Sequence, residues 1–580
     1  MDLVTALSQA GVRRGDLAGL AVAPDGTAAV AIPGGGWITD AAGIARTDAG
    51  VRPRWATWSQ ETAQRLVAAG VRLATCWDVA AVHRLVFGGW RADPCWAWAC
   101  AHGLPRERVP PAPPPGAPGA ADLFDAAQEG TAEPVGPDGY LRPEWARGGW
   151  ATTPARLLTW ARLARQMAGL QGDALAAGDG GPATAAIARS ESTAELLCAE
   201  LCADGLPMDR DTAEKVLAGI IGPRPRGGAE AAAMRAARDA AVLRHAPAGV
   251  TADLRSPAQV RSLLAAAGVE VPDTRAWRLE EFKDSHPLVA GLLEWRKAER
   301  IATTYGYAWL DEHLGPDGRL RGAWTGSDGA AGRMTATGGL HNMPAAMRRA
   351  VIAAPGHMFV RADLGQIEPR VLAAVSGDSA LAAATQADDM YLPVAAELGV
   401  DRQVAKVAMI AAMYGQTTGH GGQAGRRMRA AYPVAMGYLD AADRSARAGR
   451  ALRTYGGRLI PMPGGASAAG PGGEGRAARA DTARAAARGR YGRNALIQGA
   501  AAELFKMWAV TVRARGMPLG ARIVLCLHDE LLVHVRAERA QETAALVGHC
   551  LAETARRWAP DGRVRFIADI GIVRSWADAK

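Results

Sequence analysis

The stretch IVLCLHDELLVHV, residues 523–535, sets a polar triplet, His528-Asp529-Glu530, between two apolar runs that each read as a buried β-strand. Two such runs around a short polar segment make a β-hairpin, and acids at a turn are commonly there because water reaches them. A carboxylate at the tip of a rigid hairpin becomes a metal ligand only with a partner. HMFVRADLGQIEPR, residues 357–370, supplies one: its apolar residues lead to Asp363, and a Gly-containing turn then opens a helix. The plainer reading here is that Asp363 and Gln366, three residues apart, form a capping box for that helix.

Between these two lies DRQVAKVAMIAAMYGQ, in which Arg402, Lys406, Ile410 and Tyr414 recur every fourth residue before Gly415 stops the helix. Four-residue steps keep them on one face. Two cations, an aliphatic and an aromatic side chain suit a polyphosphate at one end and a sugar or base at the other. The commoner reading of such a helix is a solvated charged edge beside a core stripe. Lys406 counts against it, because a lysine can donate a proton in a way an arginine cannot.

At 580 residues the chain exceeds the length at which one core stops growing, so two or more domains are expected. A net charge of +9 favours a polyanionic partner without identifying it. Seven cysteines at scattered spacings, with no CxxC pair, argue against a zinc module or disulfide framework and fit a reducing cytoplasm. The N-terminus lacks a basic segment followed by an apolar run, and no window reaches membrane-spanning length. A soluble, cytoplasmic protein with no membrane contact is expected.

The first hundred residues carry short strand-like runs (LAGLAVAP, TAAVAIP, VRLATCWDVAAVHRLVF), as in an α/β domain. VPPAPPPGAPGAADLF, from Val109, reads as an extended linker or insertion. From about Glu191 apolar residues recur at helical spacing, and after Arg319 strands and helices mix. GGASAAGPGGEGRAARADTARAAARG, from Gly464, reads as a low-complexity, mobile basic insertion.

Taken together, in this order, the three segments resemble the polymerase motifs of family A DNA polymerases, the bacterial DNA polymerase I type. The first is Asp363-Leu364-Gly365-Gln366-Ile367-Glu368-Pro369-Arg370, the second Arg402, Lys406, Tyr414 and Gly415, the third the His-Asp-Glu hairpin. AAGRMTATGGLHNMP, NALIQGAAAELFK and ADIGIVRSW extend the resemblance, which runs from about residue 190 to the end.

The resemblance implies an α+β multidomain fold, a right-hand polymerase of palm, fingers and thumb preceded by an α/β exonuclease-like domain. Residues 1–188 would form that domain, with the Pro-rich segment near 109–120. Residues 189–580 would form the polymerase, thumb about 189–320, palm and fingers about 321–580. The implied activity is template-directed addition of dNTPs to a primer 3′ end on primer-template DNA. Asp363 and Asp529, with the Leu364 carbonyl, would hold two Mg²⁺ ions, with Mn²⁺ as a substitute, and Glu530 would be accessory to them. Arg402 and Lys406 would grip the triphosphate, with Lys406 a proton donor to pyrophosphate. Tyr414 would stack near the nascent base pair, and Glu368 would exclude a 2′-hydroxyl. Gln366 would serve nucleotide and DNA alike, and Arg333, Arg490, Asn494, Gln498 and His528 match positions that contact primer or template.

Several positions depart from the family pattern. Ile410 replaces the aromatic placed against the sugar, Tyr391 stands where a His is usual, and Leu364 and Gly365 replace an aromatic and a Ser. Pro369 is compatible with a helix's first turn, where its missing N–H goes unused. An active exonuclease of this family would need four acids from three motifs. LAGLAVAP offers no Asp-x-Glu, Asp78 could match the middle motif, and RLLTWARLARQMAGL lacks the third acid, so the expectation is a domain without proofreading. Competing readings are a bifunctional polymerase with active 3′-to-5′ exonuclease, a single-subunit RNA polymerase, against which Glu368 argues, and a decayed polymerase that only binds DNA. The retained acids argue against the last.

Overall fold

The structure, a computed structural model, describes residues 2–111, 133–178, 181–415, 420–462 and 474–579. Most of the Pro-rich segment and residues 464–473 of the low-complexity stretch lie outside these.

The N-terminal strand runs form a mixed sheet of β1 (Leu17–Val22), β2 (Ala28–Ile32), β3 (Gly35–Thr39), β4 (Arg54–Thr57) and β5 (Cys76–Asp78), ordered β3-β2-β1-β4-β5. β1 pairs antiparallel with β2 and parallel with β4, and β4 runs parallel with β5. Leu20, Val22, Val30, Ile32 and Trp55 fill its core. β5 passes directly into α1 (Val79–Phe87), capped by Asp78. Helix α2 (Pro154–Ala177) lies across β1 and β2, and α3 (Gly181–Asp204) packs against β5. Helix α2 comes so close that a Cβ at Gly19 would sit 2.0 Å from the Ala161 carbonyl oxygen. Glycine there is what lets helix and strand touch.

The second sheet is wholly antiparallel. It contains β6 (His357–Leu364), followed by α4 (Ile367–Ser376), α5 (Arg402–Tyr414), α6 (Pro433–Arg447) and the 43-residue α7 (Glu474–Gly516). Then come β7 (Arg522–Leu527), β8 (Glu530–Arg536), α8 (Ala540–Trp558) and β9 (Ala568–Val573), giving the order β7-β8-β6-β9. β7 and β8 are the expected hairpin, closed by the two residues His528 and Asp529. Among the described residues, no helix is long and apolar enough to cross a membrane.

The chain divides into two compact units. The larger holds both sheets: residues 1–204, 323–336 and 356–573. The smaller, residues 205–322, 337–355 and 574–580, is helical. Its core is built by Leu263, Leu264, Leu288, Val289 and Leu292 from the helices Pro257–Ala266 and Pro287–Thr304. Residue 189, the expected start of the polymerase, falls inside α3, which belongs to the larger unit.

Three local expectations are corrected. The long helices begin at Pro154 and not near Glu191, because α2 runs unbroken for 24 residues behind a Thr153 cap. Residues 474–489 of the low-complexity stretch are the first turns of α7, as their alanine content favours. The capping box at Asp363 does not form: Gln366 itself occupies the N-cap position, in the left-handed region, with no side-chain cap bond.

Candidate active site at the ends of the central strands

Strand register brings the acids together. Asp363, the penultimate residue of β6, lies opposite Glu530 on one neighbour and Asp569 on the other. The Leu364 N–H donates to the Asp529 carbonyl at 3.0 Å, which fixes the hairpin tip beside the end of β6. His528 takes the tight turn with φ +55°, a conformation His adopts more readily than most residues. Burial first, and the Asp529 charge second, push Asp363 up to about 6. Asp529 is likewise pushed up to about 6, mainly by burial. Two half-buried carboxylates that repel each other are a hard, oxygen-only donor set, and they fit a divalent cation such as Mg²⁺.

Sequence reasoning passed over Arg361. Its guanidinium reaches three acids: it pairs with Asp363, donates from Nε to Glu530 at 2.8 Å, and from Nη1 to Asp569 at 2.9 Å. Period-two alternation along β6 puts Arg361 on the same face as Asp363, and that signal was available. Glu530, nearly buried, is thus engaged by Arg361.

Helix α5 is bounded as its sequence suggests. Asp401 accepts from the Val404 N–H at 2.9 Å, and Gly415 ends it in the left-handed region. Ala405, Ala408, Met409 and Ala412 are buried, whereas Lys406 and Ile410 face outward. Arg402 is ion-paired with Asp389, whose other oxygen accepts from Gln366 Nε2 at 2.6 Å and from the Tyr391 N–H at 3.0 Å. Arg370 organises that loop. Fully buried, it donates to the carbonyls of Gly365, Thr385, Ala387 and Asp388 at 2.6–3.0 Å. Burial lowers its pKa to about 10.

A cavity of about 270 Å³ joins these parts. Arg333, Gln366, Glu368, Tyr391, Ile410, Tyr414, Gln498, His528 and Asp529 all line it. Glu368 is raised by burial, an effect Arg333 opposes, and His528 is lowered by burial and then by Arg333. Gln498 Nε2 donates to the Tyr414 hydroxyl at 3.3 Å. Arg490 and Asn494 stand two turns and one turn before Gln498 on α7, and like Arg402 and Lys406 on α5 they lie beyond the cavity wall. Phe505, Ala501 and Ala502 were not anticipated, although their spacing from Gln498 marks one helix face. Pro369 is the third residue of α4, within the first turn.

Known proteins resemble this chain in sequence and in fold. DNA polymerase I of Chloroflexus aurantiacus is 31% identical over 308 residues, 48% of this chain and 31% of that protein. The thermostable DNA polymerase I of Thermus filiformis is 28% identical over 331 residues, 52% of this chain and 38% of that protein. The chain thus spans about a third of the length of these relatives. A solved structure, the POL domain of Pol1 from M. smegmatis in complex with DNA primer-template and dNTP, shares the fold with a TM-score of 0.69 at 21% identity. That likeness covers 100% of this chain and 98% of the other. Residues 230–578 match the family described as DNA polymerase family A, and with more than half of its length so matched, the chain belongs to that family.

Proposed function

We propose that this protein is a template-directed DNA polymerase that adds dNTPs to a primer 3′ end and does not proofread. The observation that carries the reading is the convergence of Asp363 and Asp529 beside a cavity walled by Glu368, Tyr391, Ile410 and Tyr414. Two Mg²⁺ ions, for which Mn²⁺ can substitute, would be held by these carboxylates and the Leu364 carbonyl, where they supply activation of the primer hydroxyl and neutralisation of the triphosphate. Arg361 holds Asp363, and Glu530 steadies Arg361 from the opposing strand. Arg402 and Lys406 grip the phosphates, and Lys406 protonates the departing pyrophosphate. Glu368 meets the sugar and disfavours a 2′-hydroxyl, Ile410 packs on its other side, and Tyr391 closes the wall between them. Tyr414 stacks at the nascent pair. Gln366, Arg333, Arg490, Asn494, Gln498 and His528 hold primer and template. The protein works as a monomer on nucleoid DNA in the cytoplasm. Residues 1–188 are the exonuclease-like domain, and residues from about 189 to 320 are the thumb.

Loss of proofreading is supported by the N-terminal sheet. β1 carries no acid, and the approach of α2 leaves no room for a side chain at Gly19. Asp78 is buried, and its carboxylate caps α1 by accepting from the Ala81 N–H at 2.8 Å.

Extension of a labelled primer with Mg²⁺ and dNTPs, beside Asp529→Asn and a lane without dNTPs, tests the reading. Extension is expected in the wild type, reduced by several orders of magnitude in the variant, with no primer shortening. No extension despite tight primer-template binding would instead make this a decayed polymerase that binds DNA, and shortening abolished by Asp78→Ala would restore a proofreading exonuclease.

A further inference from the structure

A second cleft lies at the edge of the N-terminal sheet opposite the end of β5 at which Asp78 sits. The segments that lead into the parallel strands β1, β4 and β5 border a cavity of about 1000 Å³ whose other wall is formed by α3, α7 and α8. Seven arginines line it against two acids, Asp48 and Glu553. Both acids are engaged. Glu553 pairs with Arg515 at 3.3 Å and Arg557 at 2.6 Å, and Asp48 accepts from the Trp55 indole at 2.8 Å and the Ala74 N–H at 2.9 Å. Arg72 is paired with Asp204 at 2.6 Å. Among the described residues, Arg14, Arg52, Arg54 and Arg189 have no carboxylate within ion-pair distance.

Arg54 is the informative one. Its guanidinium is half-buried, donates to the Thr75 hydroxyl at 2.9 Å, and faces the like charge of Arg189. Burial, and Arg189 after it, pull its pKa below the ordinary value. A half-buried cation turned toward a second cation is costly unless an anion joins them. The lining carries no aromatic side chain, so it lacks the stacking platform that single-stranded nucleic acid uses. Four guanidinium forks on three segments, lining one cleft, match a compact anion with many oxygens.

We propose that this cleft binds a small anion carrying two or more linked phosphates, gripped by Arg14, Arg52 and Arg54 on the sheet side and Arg189 on α3. The site is independent of the polymerase reading. Bound there, the anion ties the N-terminal sheet to the helix that packs beneath it.

The test is calorimetric titration of the full chain with inorganic tripolyphosphate in metal-free buffer. A background carrying Arg402→Ala and Lys406→Ala removes the phosphate-gripping pair of the proposed polymerase site. The expected result is one saturable site that persists in this background. Its affinity should fall by about tenfold or more in Arg54→Gln and separately in Arg189→Gln, with melting curves confirming that both variants fold. Arg189 is exposed, so its variant keeps the test valid if Arg54→Gln does not fold. A parallel titration with dATP identifies the source of the phosphates: equal or tighter binding means a nucleotide tail, weaker binding means free polyphosphate. Loss of all binding in the Arg402/Lys406 background, or unchanged affinity in Arg189→Gln, overturns the proposal. So does binding of a short single-stranded oligonucleotide without binding of tripolyphosphate.

Discussion

Asp389 sits where two demands on one residue meet. It anchors Gln366, which holds a left-handed backbone at the start of α4, and it engages Arg402, the cation that the incoming triphosphate would need. Asp389→Asn keeps an oxygen for Gln366 and the Tyr391 N–H but gives up the charge that retains Arg402. Because the pair is partly exposed, its worth is at most about 1 kcal/mol. Steady-state kinetics should therefore show KM for dNTP falling by up to about fivefold, with kcat little changed. Arg402→Gln should raise KM. An unchanged KM in Asp389→Asn would mean that the pair does not compete with substrate. The acids and the cationic helix face were legible in the sequence because each sits in a strongly periodic element. Asp389 was not, since a loop residue's partners depend on tertiary placement. Arg361 was legible in principle, two residues before Asp363 on the same strand face.

Helix α5 has defined ends, and both are testable. Gly415 adopts φ +66°, and a Cβ there would meet Arg490 Cγ and Arg493 Cδ at 3.3 Å each. Arg493 donates to the Ala412 carbonyl at 2.9 Å and to Asp440 at 2.8 Å, so it joins α5 to α6 and α7. Gly415→Ala should lower stability by about 1 kcal/mol from backbone strain alone, and the displaced arginines should weaken primer-template binding. Thermal melting and a DNA-binding isotherm check both. Asp401→Ala should cost about 1 kcal/mol through loss of the N-cap, without altering DNA affinity. The hairpin β7–β8 and helix α5 could be read from sequence because two continuous apolar runs flank a polar triplet in the one and four-residue spacing is plain in the other. β3 and β4 could not. GGWIT is glycine-rich and RWAT is four residues long, and each is a strand only because β2 or β1 is beside it. The start of α7 was obscured by glycines among its alanines, although the helix is held farther along by contacts with α6 and α8.

Across the larger unit, α3 is an acidic seam between the N-terminal sheet and the helices of the catalytic sheet. Glu191 pairs with Arg458 and Lys506, each at 2.5 Å, Glu195 with Arg84 at 3.6 Å, and Glu200 with Arg513 at 2.6 Å. Arg513 also donates to the Leu73 carbonyl at 2.7 Å, so one side chain of α7 reaches both α3 and the sheet. Nearby, Glu503 is pushed up to about 7 by burial, although it accepts from Thr454 and from the Gly456 N–H. Its pKa in the unfolded chain is near 4.5, so between these values the folded state binds the extra proton. Its stabilising contribution is complete below pH 4.5 and is lost as pH rises through 7. Glu503→Gln should accordingly flatten the fall in melting temperature between pH 5 and pH 8 and melt higher than the wild type at pH 8. The seam itself predicts a non-additive pair. Lys506→Met leaves Glu191 buried with Arg458 as its only cation and should cost about 3–5 kcal/mol, as breaking a buried ion pair does. Removing both charges, in Glu191→Gln with Lys506→Met, leaves Arg458 without its acid but no excess anion, so the double variant should be less destabilised than the two single costs summed. Chemical denaturation of the four proteins measures the coupling. Strict additivity would mean that the seam only fills space between sheet and helices, whereas a coupling of 1 kcal/mol or more makes buried charge the element that holds the N-terminal sheet to the catalytic one.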